Sequence, residues 1–320
     1  MSHFLDKVKA LKVLLGSVAI LAMFISCTKE VIPLGTAPEQ GAPQVGLARE
    51  TLGQPGPRNT DYQLPETASI CGEILPLNLP SVRERLDYEF TFAVNHPAQV
   101  ELWRRRALRF FPLIESSLAQ AGLPGDLKYL AVAESDLRPQ VVSPAGAAGL
   151  WQFIPSTARL FGLKVNRDED QRNLPELLLP IGMKYLSSLY SRFGSWALAM
   201  AAYNAGEARI AGALSSQRAS DYYQLNLPRE TERYVYRIAA IKLVLEGASV
   251  FGFNDSPPAG LYQPQPYRQE NVTFNTSVTW PELARQYGTD YKTLKLLNPH
   301  LASRATLRGG PYIFRVPSGV

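Results

Sequence analysis

The stretch Trp196-Ala197-Leu198-Ala199-Met200-Ala201-Ala202-Tyr203-Asn204 is apolar at every position until its last two residues. A helix with no polar face has to be buried. At 320 residues the chain is long enough to enclose it in one or two domains with real cores. From about Pro76 to Phe253 the surrounding pattern is also helical, with segments separated by Pro and Gly. Arg104 to Ala121 carries Leu108, Phe111 and Leu118 at helical spacing and stops at Gly122. Gly125 to Ser135 reads as a short helix, Pro155 opens another that ends near Gly162, and Pro180 to Phe193, Ser195 to Asn204 and Glu230 to Glu246 follow. No alternating strand pattern interrupts them, so the predicted class is mainly α. After Pro257-Pro258 and Pro264-Pro266 the pattern changes. A strand at Val272–Phe274, helices at Trp280–Tyr287 and Lys292–Leu297, and a strand at Tyr312–Val316 predict a small βααβ unit.

The N-terminus carries a different signal. Lys7, Lys9 and Lys12 precede an apolar run from Val13 to Ile25, too short for a comfortable membrane span. The run ends in Phe24-Ile25-Ser26-Cys27, which resembles a bacterial lipobox with Phe24 in place of the usual leucine. That resemblance implies acylation of Cys27 and removal of residues 1–26. The absence of aspartate after the cysteine, where Thr28 stands, implies sorting to the outer membrane. Residues 27–72 are rich in Pro, Gly, Gln and Thr and read as a disordered tether, spanning roughly 35–40 Å on average. A net charge of +5 suits an acidic polymer such as cell wall, whereas a nucleic-acid binder would need clustered basic residues. The one dense run, Arg104-Arg105-Arg106, is expected on a solvated helix face. Two cysteines without metal-ligand spacing and three histidines, one of them in the leader, give no basis for a metal centre or cofactor.

Chemistry enters with Glu134. Leu127, Leu130 and Ala131 occupy the i, i+3 and i+4 positions of a buried stripe, and Glu134 falls at i+7. A carboxylate is thus placed on the core side near the helix C-terminus. Desolvation and the negative helix end both raise its pKa, as general-acid cleavage of a glycosidic bond requires. Read alone, Glu134 is more readily a helix-terminal glutamate paired with Arg138 or another base. In Ser143-Pro144-Ala145-Gly146-Ala147-Ala148-Gly149-Leu150-Trp151-Gln152-Phe153, small residues allow a tight turn. Trp151 beside Gln152 offers a flat apolar face and an amide, suited to a sugar ring and its N-acetyl group, although Trp and Phe after a loop are more often core. Tyr203, at the end of the apolar helix, needs a hydrogen-bond partner.

Together Glu134-Ser135, Gly149-Leu150-Trp151-Gln152, Ala202-Tyr203-Asn204 and Leu227-Pro228-Arg229-Glu230-Thr231 with Tyr234-Val235 resemble the family 1 lytic transglycosylases. Trp151, Phe153 and the run Leu123 to Leu130 resemble the membrane-bound D subgroup. The resemblance covers roughly residues 76 to 250. Its acidic and arginine pattern is looser here, as Asp170-Gln171-Arg172-Asn173. It implies a lysozyme-like domain acting on the glycan strands of peptidoglycan without water at the cleavage step. Glu134 would serve as both acid and base. The resemblance further implies that Ser135 and Tyr203 support Glu134 or the substrate, and that Gln152 and Asn204 bind the sugar's polar groups. Gly149, Leu150 and Trp151 would contact substrate, and Tyr234 would line the cleft. Residues 270–320 resemble a LysM module, with Ser277-Val278 replacing its usual Gly-Asp.

The expected organisation is therefore a leader at 1–26, a tether at 27–72, a catalytic domain at 73–256, a Pro-rich linker at 257–269 and the LysM-like unit at 270–320. All four motifs precede the linker, so the catalytic domain is expected to work alone. A hydrolytic muramidase on the same fold and a non-catalytic wall-binding lipoprotein are the competing readings.

Overall fold

The computed structural model describes residues 62–253, 262, 265–302 and 306–318. The leader, Cys27 and the tether up to residue 61 lie outside the described residues. A two-stranded hairpin, β1 (Ser69–Ile70) and β2 (Glu73–Ile74), is followed by α1 (Pro80–Val94), α2 (Pro97–Gln120) and α3 (Lys128–Ser135). Next come α4 (Pro155–Leu160), α5 (Pro175–Phe193), α6 (Trp196–Ala205), α7 (Glu207–Gln217) and α8 (Arg229–Glu246). The C-terminal unit is β3 (Tyr267–Thr279), α9 (Trp280–Gln286), α10 (Tyr291–Leu297) and β4 (Thr306–Pro317), with β3 and β4 antiparallel. The chain is mainly helical, as its periodicity predicts.

The all-apolar segment is α6, and every residue from Trp196 to Ala202 is buried. Leu198 and Met200 each contribute on the order of 1.5–3 kcal/mol by leaving water. Gly194, at φ 67°, ends α5 in the left-handed conformation that glycine favours. Ser195 then caps α6 by accepting from the Leu198 N–H, and the Glu73 carboxylate accepts from the Ala197 N–H at 3.1 Å. The hairpin is thereby fastened to the start of the central helix.

Several expectations are corrected. The tether ends earlier than residue 72, because Leu64, Ala68 and Ile70 are buried in the main core and the hairpin around Cys71 is ordered. Helix α5 starts at Pro175, not Pro180. Pro175 occupies the first turn, where no intrahelical N–H partner is lost, and Pro180 rides inside the helix at the cost of one donor. Helix α2 likewise begins at Pro97 and carries Pro112 inside it. Helices α1 and α7 were not expected; α1 buries Val82, Leu86, Phe90, Ala93 and Val94 along one face. The proposed linker stops at Pro266, since residues 267–269 belong to β3.

The two units have separate cores. Phe274, Trp280, Leu283, Leu294, Phe314 and Val316 form the second one. They nevertheless touch. The Asp170 N–H donates to His300 O at 2.7 Å and the Ala302 N–H donates to Asp168 O at 2.9 Å. Glu176 on α5 accepts from Arg315 at 2.6 Å and from the Tyr267 hydroxyl at 2.9 Å.

Candidate active site

The site is assembled where α3, α6 and α8 meet the loop from Ser143 to Phe153. Leu127, Leu130 and Ala131 are fully buried, so the stripe that places Glu134 faces the core. Glu134 sits in the last turn of α3 and is partly buried. The helix ends at Asp136, whose φ of 54° is left-handed and strained for a residue other than glycine. That strain is held from α2. The Asp136 carboxylate accepts from Gln99 at 3.0 Å and Trp103 at 2.8 Å, and its carbonyl accepts from Arg106 at 3.0 Å. Arg106 is thus a structural tie rather than part of a solvated face. Arg104 and Arg105 both pair with Glu101. Arg138 pairs with Asp136, not with Glu134.

The Tyr234 hydroxyl of α8 donates a short hydrogen bond to Glu134 Oε1. Burial pushes the Glu134 pKa up to about 7. The Tyr234 hydrogen bond opposes that rise, the Glu230 charge adds to it, and the Arg237 charge opposes it. Glu230, Tyr234 and Arg237 stand at i, i+4 and i+7 on α8, so one helix supplies all three influences. Burial first, and the neighbouring carboxylate second, also raise the pKa values of Tyr203 and Tyr234, which keeps both as hydroxyl donors.

The other predicted residues divide. Ser135 is buried, and its hydroxyl lies 2.9 Å from Leu150 O and 3.1 Å from Ala131 O. It ties the helix of Glu134 to the glycine-containing loop rather than bonding the glutamate. Tyr203 donates to Trp151 O at 2.5 Å and its ring packs on Trp151, Phe153 and Tyr185. Asn204 Oδ1 accepts from the Thr231 hydroxyl at 2.9 Å, joining the end of α6 to α8. Gln152, at φ 46°, donates through its amide to Val141 O at 3.1 Å and Gly149 O at 2.9 Å.

Leu150 and Trp151 are corrections. Both side chains are wholly buried, and the Trp151 indole lies against Gly182 of α5. Neither offers a face to a sugar; the apolar indole is worth more in the core than in water. Gly149 is required by its own geometry. Its φ is 86°, and a Cβ there would come 2.2 Å from Arg172 O. Tyr234 does not line an open cleft by its ring, being buried, and reaches the site through its hydroxyl.

Sequence reasoning missed Glu230 and Arg237 as groups whose charge acts on Glu134. Their spacing with Tyr234 on α8 was the available signal. It also missed Arg172, whose buried guanidinium holds the loop from behind.

Comparison with known proteins places this geometry. Residues 112–226, which include Glu134, Gly149–Gln152 and Tyr203-Asn204, match the family described as the transglycosylase SLT domain. The chain is 29% identical over 222 residues to membrane-bound lytic murein transglycosylase D of Escherichia coli (strain K12), covering 66% of this chain and 47% of that protein. It is 41% identical over 86 residues to soluble lytic murein transglycosylase of Salmonella typhimurium (strain LT2), covering 25% of this chain and 13% of that one. It therefore spans about half the length of the first relative and less of the second. The solved 70 kDa soluble lytic transglycosylase of Escherichia coli is 25% identical over 53% of this chain and 30% of its own, with a TM-score of 0.39.

Proposed function

We propose that this chain, whose residues 112–226 match the transglycosylase SLT domain, cleaves the β-1,4 bond between N-acetylmuramic acid and N-acetylglucosamine in peptidoglycan, non-hydrolytically. The observation that carries this reading is Glu134, held near pKa 7 by burial and bonded by Tyr234, at the end of a helix in the SLT-matched segment. Near neutral pH a large fraction of such a group is protonated and can act as an acid.

In the proposed reaction Glu134 protonates the leaving glycosidic oxygen as the bond from C1 of the muramic residue breaks. The substrate's own N-acetyl oxygen supports the cationic C1, as in substrate-assisted glycosidases. Glu134, now a carboxylate, takes the proton from the muramic C6 hydroxyl, whose oxygen closes on C1 to give a 1,6-anhydro ring. The glutamate ends protonated, as it began. Tyr234 steadies the carboxylate phase by donating its hydroxyl proton. Gln152 and Asn204 are assigned to the sugar's polar groups, Ser135 and Tyr203 to holding the surrounding backbone, and Gly149 to letting the loop pass close. No cofactor or metal is assigned.

Digestion of purified sacculi followed by mass spectrometry tests the reading. Products should end in 1,6-anhydro-N-acetylmuramic acid, one water lighter than muramidase products. A hydrolytic reading rests on Glu230, whose negative charge reaches Glu134, and would give free reducing ends instead. A wall-binding protein without catalysis would release nothing. We further propose that Cys27 is lipidated, tethering the enzyme to a bacterial membrane on the wall-facing side, the outer membrane in a two-membrane cell. The C-terminal βααβ unit is proposed as a LysM-like aid to glycan retention.

A further inference from the structure

We propose that Arg172 is a positioning residue of the Glu134 site, and that the C-terminal unit acts on the site through it. Arg172 is buried, and its three guanidinium nitrogens are all committed. Nε and Nη2 form a fork on the Asp170 carboxylate at 2.8 and 2.7 Å. Nη1 donates to Gly146 O at 2.6 Å and to Phe153 O at 2.8 Å. Those two carbonyls bracket the loop that contains Gly149 and Gln152. The Arg172 carbonyl presses on the same loop at Gly149, where there is no room for a Cβ. One residue thus fixes both ends and the middle.

The loop is in turn bonded to the helix of the glutamate. Leu150 O lies 2.9 Å from the Ser135 hydroxyl, next to Glu134 in sequence, and Trp151 O accepts from Tyr203. A shift of the Gly146–Phe153 loop therefore moves the partners of the group that must meet the glycosidic oxygen. Misplacement by about 1 Å is enough to cost on the order of 10²-fold in rate.

The other side of Arg172 leads to the C-terminal unit. Asp170, which holds its fork, donates its own N–H to His300 O. Asp168 accepts from the Ala302 N–H, and Glu169 bridges Leu301. Residues 168–170 thus form an edge bonded on one side to residues 300–302 and on the other, through the Asp170 carboxylate, to the guanidinium. The unit completes a support behind the catalytic loop, a role distinct from any grip on glycan.

The test uses the full chain and three substitutions. Arg172→Lys keeps the charge and loses the fork. Asp170→Asn keeps the shape and serves if the lysine variant does not fold. Ala302→Pro removes the N–H that reaches Asp168 from the C-terminal unit. Deuterium exchange of residues 143–153, read by mass spectrometry, reports the loop without reference to activity. Turnover of sacculi, split into kcat and KM below the melting temperature, reports the site.

Arg172→Lys or Asp170→Asn should raise exchange in that segment about tenfold or more, and should lower kcat about tenfold or more while KM changes little. Ala302→Pro should move both in the same direction by less. The double variant with Arg172→Lys should fall short of the product of the single effects, because both act on one loop. Unchanged exchange at 143–153 in a folded Arg172 or Asp170 variant overturns the positioning role. An Ala302→Pro protein with wild-type loop exchange and kcat overturns the link to the C-terminal unit. The inference about rate rests on the transglycosylase reading. If wild-type protein releases nothing from sacculi, that reading fails, and the exchange arm still decides whether Arg172 and the unit hold the loop.

Discussion

Glu134 can act as an acid only while it carries its proton, so activity should be high below its raised pKa of about 7 and fall as pH rises through it. The neighbours on α8 set where that fall occurs. Glu230→Gln removes a negative charge that raises the pKa and should move the basic limb of the kcat/KM profile to lower pH. Arg237→Gln should move it to higher pH, and equal limbs in all three proteins would mean another group titrates. The same burial costs stability. The folded pKa lies above the ordinary carboxylate value of 4.5, so the stability associated with the protonated form is complete below about pH 4.5 and is lost as pH rises through 7. Glu134→Gln should therefore be more stable than wild type at pH 8 by up to about 3 kcal/mol. The advantage should vanish below pH 4.5, as read in urea titrations at both pH values, while turnover falls by about 10²–10⁴-fold. Glu134 was legible in the sequence because helical period alone places it seven residues after Leu127 on the buried stripe. Its partner Tyr234 lies one hundred residues away, and local periodicity contains nothing about which distant hydroxyl will meet a given carboxylate.

The loop between α3 and α4 shows what is readable at the scale of elements and what is not. Its run of small residues announces a tight turn, and Gly149 at φ 86° against Arg172 O is the reason. Gly149→Ala should destabilise by about 2–4 kcal/mol, since it adds both a clash with backbone and left-handed strain. Chemical denaturation of the variant checks this, and a loss below about 0.5 kcal/mol would show that the loop can slide away from Arg172. The sequence also suggested that Trp151 would face substrate. Whether an indole points outward depends on a surface prepared elsewhere, here by α5, where the ring rests over Gly182. Helix starts failed for a related reason. Pro180 looked like an N-terminus, yet Leu178, Leu179 and Met183 are buried on both sides of it, and their packing outweighs one missing N–H. Tertiary burial decided each case, and burial is a property of the assembled elements.

At the scale of the molecule, the sequence pattern marked off the βααβ unit, but composition placed the end of the proposed tether too late. Leu64, Ala68 and Ile70 are spaced among Pro, Thr and Glu residues that dilute any apolar signal, and they still reach the core. Cys27→Ala should abolish lipid labelling and normal processing, and a variant that still carries a diacylated N-terminus would refute the anchor. The larger question is whether residues 73–256 suffice. Among the described residues the main core ends at Phe251, with Phe253 packed against it, and the second core begins at Phe274, with Val272 packed against it. A chain ending near Ser256 should therefore fold. It would lose the Asp170–His300 and Ala302–Asp168 bonds and the Arg315–Glu176 pair, a partly buried set worth about 1–2 kcal/mol, or roughly 2–8 °C in Tm. The four motifs remain, so the truncated protein should still cut sacculi to anhydro products. Turnover should nonetheless drop, because the edge at residues 168–170 that carries the Arg172 fork loses its outer support. Circular dichroism melting and sacculus digestion separate these outcomes. An unfolded truncation would show that the two cores depend on each other, and a folded one with full turnover would show that Arg172 holds the loop without help from the C-terminal unit.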